Sequence, residues 1–454
     1  MNIKNRFISG IILSLVCGLI AAGPAYAAQD EDADERESAN QKTKQAQAVS
    51  KEIYDRIQKA QELIDVEDDQ GALKILNSLL GKKNITEYEQ QNVLNYIGFV
   101  NYNLENIPAA IDAYERMLKI PSLEEQVRKQ TVYTLAQLMT MEEEYAKALT
   151  LLDEWFVLET NPASDPYILY AQNLYQVNRY ADMVKPIESA IAVAEKRQLE
   201  VKEDWYVLLN FAYFQQENYE KVRDIQKILL VSWPKKRYWF SLAGAYTELG
   251  EDDNLMNAYD SAHTQGLLEK EAELLTMAQL YMQHEVPYKA GVLIEKEMAS
   301  GRVEKNAKNY RLLSQAWSLA NEDEKSIPAL QAAAKLSDDG ELNLRLGNAH
   351  LNLGQYDECV AAITEGVRKG GIKSPDNAQI SLGMCLYNQK KYTAARAAFS
   401  EAGKTARSRK MAQQWETVIE SDLERNKQIQ LAEAAAQKQQ KELVDRRRSA
   451  DRSR

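Results

Sequence analysis

Apolar residues are spaced along this chain in a pattern that recurs ten times. Each copy has two stretches in which apolar side chains return every three or four positions, as Ile53, Ile57 and Ala60 do. That spacing places them on one face of a helix. Short polar or glycine-containing segments, such as Glu105-Asn106 and Gly250, separate the stretches. The pattern predicts a series of helical hairpins.

One fixed place in each first helix carries a small residue, and a second, usually small residue follows about twelve positions later in the second helix. The steps between first markers are about 33 to 39 residues, the period of a helix-turn-helix solenoid. Small side chains are expected where two helix backbones approach closely. The first markers are Ala60, Gly98, Ala136, Ala171, Asn210, Ala243, Ala278, Ser314, Gly347 and Gly383. The second markers are Ala72, Ala110, Ala148, Met183, Val222, Leu255, Ala290, Ser326, Cys359 and Ala395.

The clearest copies combine a large apolar residue before the small one, as in Leu346-Gly347 and Leu382-Gly383, with an aromatic residue before the second helix, as in Tyr356 and Tyr392. This combination resembles the tetratricopeptide repeat, and the resemblance covers roughly residues 50–405. It implies an all-α fold: a right-handed α-solenoid of about ten hairpins, closed by a C-terminal capping helix. It also implies a protein that binds other proteins.

The N-terminus has the features of a secretory signal peptide over residues 1–27. Lys4 and Arg6 precede an apolar run that is short for a membrane-spanning helix, and Ala25-Tyr26-Ala27 predicts cleavage after Ala27. The alternative, a lipoprotein signal at Cys17, fits poorly because Val16 precedes that cysteine. Residues 28–48 form an acidic, apolar-poor leader, for which we expect disorder. We therefore expect an exported protein of the periplasm.

The hairpins are expected over residues 49–405, followed over residues 406–454 by a capping helix and a polar tail with a basic end. Five residues predict the face that covers the last hairpin: Met411, Trp415, Val418, Ile419 and Leu423. The tail could touch an anionic membrane surface, contact an acidic partner, or stay solvated.

Composition narrows the classes of partner. The chain carries 56 Lys and Arg against 67 Asp and Glu, a net charge of −11, and cleavage would remove two of the basic residues. Nucleic-acid binding needs a basic face, so it is not expected. Cys359 and Cys385 remain after cleavage, on helices that should be neighbours. Export permits a disulfide between them, while their positions also suit two small buried thiols.

Catalytic chemistry finds little support in the sequence. It has only three histidines, scattered over separate repeats, and no zinc-protease, phosphate-loop or serine-hydrolase motif. Acidic runs fall at turns without the ordered ligand spacing of a metal site. We therefore expect no enzyme, no cofactor and no metal.

The residues most informative about function should lie on the first helices, which line the concave face in arrays of this kind. The first marker is counted as place eight of the repeat. Places five, nine and twelve then give an aromatic and amide-rich groove suited to an extended peptide. The alternative is that some of these rings only fill space between neighbouring first helices. The groove residues are Asn95, Phe99, Tyr102, Tyr133, Gln137, Gln172, Tyr175, Phe211, Phe214 and Phe240.

The order of segments is similar to that of the periplasmic repeat proteins that accompany TonB-type energy-transducing systems. That resemblance rests on the signal peptide, the acidic leader, the near-continuous repeats and the Lys/Gln/Ala tail ending in Arg. It implies contact with a TonB/ExbB/ExbD-type complex in TonB-dependent transport, for example of iron chelates. The alternative is a cell-envelope assembly factor, acting on outer-membrane proteins, peptidoglycan or polysaccharide export.

Overall fold

The structure, a computed structural model, describes residues 49–452. This range forms 21 α-helices and one short 3₁₀ helix and contains no strand, which confirms the all-α prediction. The expected signal peptide and leader, residues 1–48, lie outside the described residues. The chain divides between Tyr238 and Trp239 into two compact units. The right-handedness of the array stays a prediction.

The first unit contains five helical hairpins. In each, the first helix is followed after a short turn by the second, as the ten-fold pattern predicts. The helices of hairpins 1 to 5 are α1 (Lys51–Asp65) and α2 (Asp69–Leu80), α3 (Glu87–Asn103) and α4 (Ile107–Leu118), α5 (Glu125–Met141) and α6 (Tyr145–Leu158), α7 (Ser164–Gln176) and α8 (Val184–Lys196), and α9 (Glu203–Gln215) and α10 (Tyr219–Ser232). A 3₁₀ turn at Tyr180–Met183 leads into α8.

The second unit contains five more hairpins and a long terminal helix, and the division between the units falls in the first turn of α11. The helices of hairpins 6 to 10 are α11 (Lys236–Leu249) and α12 (Asp252–Thr264), α13 (Glu271–Gln283) and α14 (Pro287–Ser300), α15 (Ala307–Leu319) and α16 (Asp323–Lys335), α17 (Gly340–Asn352) and α18 (Tyr356–Lys369), and α19 (Pro375–Asn388) and α20 (Tyr392–Ala402). The terminal helix is α21 (Ala406–Arg452).

The small marker residues lie where the two helices of a hairpin touch. A Cβ atom on Gly98 would come within 2.5 Å of the Tyr114 ring, and one on Gly383 within 2.6 Å of the Phe399 ring. Alanine markers such as Ala136 have no exposed surface. Close backbone approach therefore explains the spacing seen in the sequence. Leu255, at a second-marker position, is only partly buried.

Every hairpin turns through a residue in the left-handed backbone region, seven positions after its first marker. The turn residues Glu105, Asn178, Glu217, Gly250 and Gly354 all have φ between 56° and 70°. The other five turn residues are Glu67, Glu143, Glu285, Asn321 and Lys390. Because L-residues other than glycine disfavour this region, eight of the ten turns carry a small conformational cost.

Helix α21 covers the last hairpin at its N-terminal end, as predicted, but through a partly different face. Trp415 stacks on Phe399 with ring centroids 5.3 Å apart, and Ile419 is fully buried. Met411, Val418 and Leu423, expected on the same face, are 49, 42 and 41% exposed. The prediction was wrong for these three because α21 is rotated to bury small Ala412 instead.

Two further contacts fasten hairpin 10. Cys359 on α18 and Cys385 on α19 form a disulfide with Cα atoms 6.3 Å apart, and both residues are fully buried. At the start of α21, the Asp376 carboxylate accepts hydrogen bonds from the Ser408 hydroxyl at 2.7 Å and the Arg407 guanidinium at 2.9 Å. These two contacts tie hairpin 10 to the elements on both sides of it.

Candidate peptide-binding surface

Three aromatic rings from hairpins 4 and 5 form one cluster. Tyr175 at the end of α7 lies 5.1 Å from Phe211 on α9, measured between ring centroids, and Tyr180 lies 5.2 Å from Phe211. Tyr175 and Tyr180 are 5.8 Å apart. All three rings are half-buried. Their tilted and edge-on arrangement is a favoured packing of aromatic side chains, and it leaves part of each ring accessible.

Phe214 extends this cluster toward solvent. It lies three residues after Phe211, so both side chains emerge on neighbouring positions of one helix face. Its ring is 52% exposed and touches the edge of Tyr219 at 6.1 Å. We name Tyr175, Tyr180, Phe211 and Phe214 the aromatic surface. An exposed phenylalanine beside half-buried rings is a feature of surfaces that bind apolar side chains.

Amide side chains border the aromatic surface. Gln172 and Gln176 on α7 are half-buried, and Gln215 follows Phe214 on α9 and is exposed. Amides both donate and accept hydrogen bonds, so they suit the backbone of an extended peptide. The nearby charges of Arg179 and Asp182 satisfy each other in an ion pair of 2.7 Å.

The groove residues of hairpin 2 belong to a different neighbourhood. Asn95, Phe99 and Tyr102 on α3 are half-buried, and the two rings pack against the hydrophobic core of the first three hairpins. The structure groups Phe99 and Tyr102 with that core and groups Tyr175 and Phe211 in the cluster above. Phe99 and Tyr102 therefore belong to a different group of contacts from Tyr175 and Phe211.

Tyr133 and Gln137 on α5 take part in helix packing. The Tyr133 ring lies 5.0 Å from Trp155 of α6, and burial, with a smaller contribution from the Asp165 charge, raises the pKa of Tyr133 well above its ordinary value. Gln137 is only 4% exposed. Phe156 belongs with Tyr133 to a hydrophobic cluster around Ala136, Leu152 and Leu169.

Phe240 lies in the second unit. Its ring packs edge-on against Tyr259 of the same hairpin, with centroids 5.5 Å apart. The structure therefore supplies a packing partner for Phe240 and gives no reason to join it to the aromatic surface of the first unit.

The prediction missed Tyr180 and Tyr219, although the sequence carried a signal for both. Each stands nine positions after the first marker of its hairpin, at the aromatic position that precedes the second helix. The groove prediction uses only positions on the first helices. The start of the second helix contributes rings to the same surface because the turn folds it back beside the end of the first helix.

Other kinds of site find no support in the described part of the chain. Within residues 49–452, no three His, Cys, Asp or Glu side chains are placed to hold a metal ion. None of the helices in that range combines the length and apolar character needed to cross a bilayer.

Comparison with known proteins gives one family match. Residues 344–408, from α17 to the start of α21, match the tetratricopeptide repeat model. No curated protein matches the sequence.

Several solved structures are similar to parts of the chain. A tetratricopeptide repeat protein from Parabacteroides merdae is 14% identical, with 59% of this chain and 99% of that chain covered and a TM-score of 0.33. YrrB, described as a TPR protein with an unusual peptide-binding site, is 16% identical, with 42% and 96% covered and a TM-score of 0.35. MamA is 19% identical, with 37% and 90% covered and a TM-score of 0.32.

The ten hairpins in one register and the family match over residues 344–408 lead to the same conclusion. Residues 344–408 are a tetratricopeptide repeat segment, and they lie within a series of ten hairpins that share its marker spacing.

Proposed function

We propose that this protein is an interaction scaffold that binds an extended segment of a partner protein on the aromatic surface of hairpins 4 and 5. The observation that carries the proposal is the 52% exposure of Phe214 beside the half-buried Tyr175–Tyr180–Phe211 cluster. Binding of protein partners is the general role of tetratricopeptide repeat proteins. The proposal assigns no catalytic step to the chain.

The chemistry of the surface indicates the kind of segment it accepts. Aromatic rings supply a large contact area with little loss of side-chain freedom, and they dominate the energetics of many interfaces. The flanking amides of Gln172, Gln176 and Gln215 can bond a peptide backbone in either direction. Arg179 and Asp182 beside the surface neutralise each other in an ion pair. A segment with apolar or aromatic side chains fits it best.

A site-specific photocrosslink tests this proposal. A benzophenone amino acid at Gln176 should capture a defined partner, and Phe211→Ala combined with Phe214→Ala should reduce that capture at least tenfold. A matched control is Tyr288→Ala, since Tyr288 is 49% exposed but lies in the second unit. Capture should survive the control, and all variants should keep the helical circular dichroism of the parent. Equal capture by the double variant and the control would place the binding surface elsewhere.

We further propose that the protein works in the periplasm in support of TonB-dependent transport, including iron chelate uptake. The support comes from the sequence: the predicted signal peptide with cleavage after Ala27, the acidic leader, the continuous repeats and the basic-ended tail. The partner would be a component of a TonB/ExbB/ExbD-type complex.

Fractionation and crosslinking in cells test this assignment. The mature chain should begin at Ala28, be found in the periplasmic fraction, and crosslink to the energy-transducing complex. Recovery of only outer-membrane insertion, peptidoglycan or polysaccharide-export machinery would replace the TonB assignment by the envelope-assembly alternative. A chain that stays in the cytoplasm with residues 1–27 still attached would contradict both the TonB assignment and the envelope-assembly alternative.

A further inference from the structure

Hairpin 5 departs from the other nine at two positions. Asn210 stands at the first marker, where the others have Gly, Ala or Ser. Gln226 stands sixteen residues later on α10, where the others have a large apolar or aromatic residue. Those nine residues are Leu76, Tyr114, Leu152, Ile187, Tyr259, Ile294, Leu330, Ile363 and Phe399.

The two positions face each other in the hairpin fold. In hairpins 2, 9 and 10, the residue whose side chain lies nearest to the marker glycine is the one sixteen positions later, as with Gly98 and Tyr114 or Gly383 and Phe399. The same register pairs Asn210 with Gln226. A small residue against a large apolar one has therefore been replaced, in a single hairpin, by two amides.

Both amides are incompletely satisfied. Gln226 is 2% exposed, and its Oε1 atom is buried without a hydrogen-bond partner among the described residues. The Oδ1 atom of Asn210 is likewise buried and unpartnered there. A buried acceptor without a partner loses its hydration and gains nothing in return, so it destabilises the closed state relative to an open one.

We propose that hairpin 5 is a conformational joint: α9 and α10 separate from one another more readily than the helices of the other hairpins in the first unit. Opening lets water reach both amides, whereas opening of hairpin 2 or 3 exposes Tyr114 or Leu152, which are fully or almost fully buried. The difference in local stability follows from the chemistry of this one pair.

The joint lies beneath the aromatic surface. Phe211 follows Asn210 directly, and Phe214 lies one helical turn further, so separation of α9 from α10 repositions both rings relative to Tyr175 of hairpin 4. Adjustment of the surface to a partner rests on the proposed function, but the joint itself does not, because it is a property of the free protein.

Native-state hydrogen exchange on the full chain tests the joint. Amides in the middle of α10 should be protected at least tenfold less than those of α4 and α6. Asn210→Ala with Gln226→Leu reproduces the Ala60–Leu76 and Ala136–Leu152 pairs. It should raise protection in α9 and α10 roughly tenfold or more, the factor expected for removing one unsatisfied buried acceptor, and leave α4 unchanged.

Two outcomes would overturn the proposal: wild-type protection of α10 equal to that of α4 and α6, or no rise in the double variant. Gln226→Leu alone is a second test, since it keeps the Asn210 side chain and should give part of the gain. Loss of photocrosslinking with these exchange results intact would contradict only the proposed function. If either of these exchange outcomes is found while photocrosslinking persists, only the joint is contradicted.

Discussion

Hairpins 5 and 10 share one geometry and differ in the chemistry at its centre. In hairpin 10 the Phe399 ring lies against Gly383, while in hairpin 5 the same register holds Gln226 and Asn210. Phe399 is fully buried and stacks on Trp415, whereas both amides of hairpin 5 leave an oxygen unsatisfied. Helix spacing thus specifies the hairpin, and the central pair sets how firmly it stays closed.

The two hairpins are also fastened to their neighbours differently. Hairpin 10 has the Cys359–Cys385 disulfide and the bonds of Asp376 to α21. Hairpin 5 has only non-covalent ties, including the Tyr213 hydroxyl, which donates to Glu188 of α8 at 2.6 Å. Burial, with this bond as a smaller cause, raises the pKa of Tyr213 to about 12. The hydroxyl therefore stays protonated and donating throughout the physiological range.

The largest test of the comparison is truncation of the central side chain in each hairpin. Phe399→Ala should cost about 3–5 kcal/mol and release the start of α21, because a buried ring is lost. Gln226→Ala should cost less than about 1 kcal/mol, because the amide it removes is already unsatisfied. Hydrogen exchange in α19–α21 and α9–α10 reads each effect locally, as repeat arrays need not unfold in one step. Similar losses of local stability in both hairpins would mean that their central pairs do not differ in strength.

Reduction of the disulfide is the next test. Cys359 and Cys385 are 26 positions apart, and opening a crosslink of that span should cost about 3 kcal/mol. Reductant, or Cys359→Ala with Cys385→Ala, should therefore lower protection in α18–α20 and leave hairpin 5 unchanged. Intact mass with and without reductant shows whether the bond is present in the purified protein. Unchanged exchange after a confirmed reduction would mean that apolar packing alone holds these helices.

The same comparison shows how much of the structure can be predicted from the sequence. All ten hairpins were predictable because the marker spacing reflects close helix contact, which recurs regardless of neighbours. The rings of the groove were less predictable. Tyr133 occupies the same repeat position as Asn95, yet its ring packs against Trp155 of the following helix. A side chain's exposure depends on the bulk of residues about twenty positions away, and a periodic count carries no information on that.

The prediction of the face by which α21 covers hairpin 10 was partly wrong for a related reason. Hydrophobicity favoured Met411 and Val418, but the contact with hairpin 10 selects a side of the helix where small Ala412 and Ser408 allow close approach. In this orientation Trp415 stacks on Phe399 and the Ser408 hydroxyl donates to Asp376. Gln226 was overlooked because its departure is visible only when all ten copies are aligned on the position sixteen residues after the marker.

Acid should loosen hairpin 10 at α21. The bond from Ser408, with those from Arg407 and Thr405, lowers the pKa of Asp376 from its ordinary 3.8 to about 2. A lowered pKa stabilises the fold above the unfolded value, and that stabilisation is lost as the pH falls from about 4 through about 2. Exchange in residues 406–415 should therefore rise over this window, after correction for the intrinsic pH dependence of exchange. Asp376→Asn should remove most of the pH dependence, and a flat profile in the parent would contradict the role of the carboxylate.

Hairpin 5 contains a carboxylate with a similar shift. Burial alone would raise the pKa of Glu203, but hydrogen bonds from Lys235, Tyr238 and Arg237 outweigh it and lower the value to about 2. These groups join α9 to the residues that open α11. Acid should therefore loosen this contact as the pH falls from 4.5 through about 2. Glu203→Gln provides the matched variant. An acid response in hairpin 10 alone would show that the Glu203 contact adds nothing to local stability.

The smallest expected effect lies at the turns, where the two hairpins should behave alike. Glu217 and Lys390 have φ of 56° and 63°, so glycine at either position removes a left-handed strain of about 1 kcal/mol and gives back part of it as unfolded-chain entropy. Glu217→Gly and Lys390→Gly should each stabilise their hairpin by about 0.5 kcal/mol, while Gly354→Ala should destabilise hairpin 9 by a similar or larger amount. Local exchange can resolve changes of this size. Equal gains would place the difference between hairpins 5 and 10 in their central pairs and fastenings, whereas a gain in hairpin 5 alone would make its turn part of the joint.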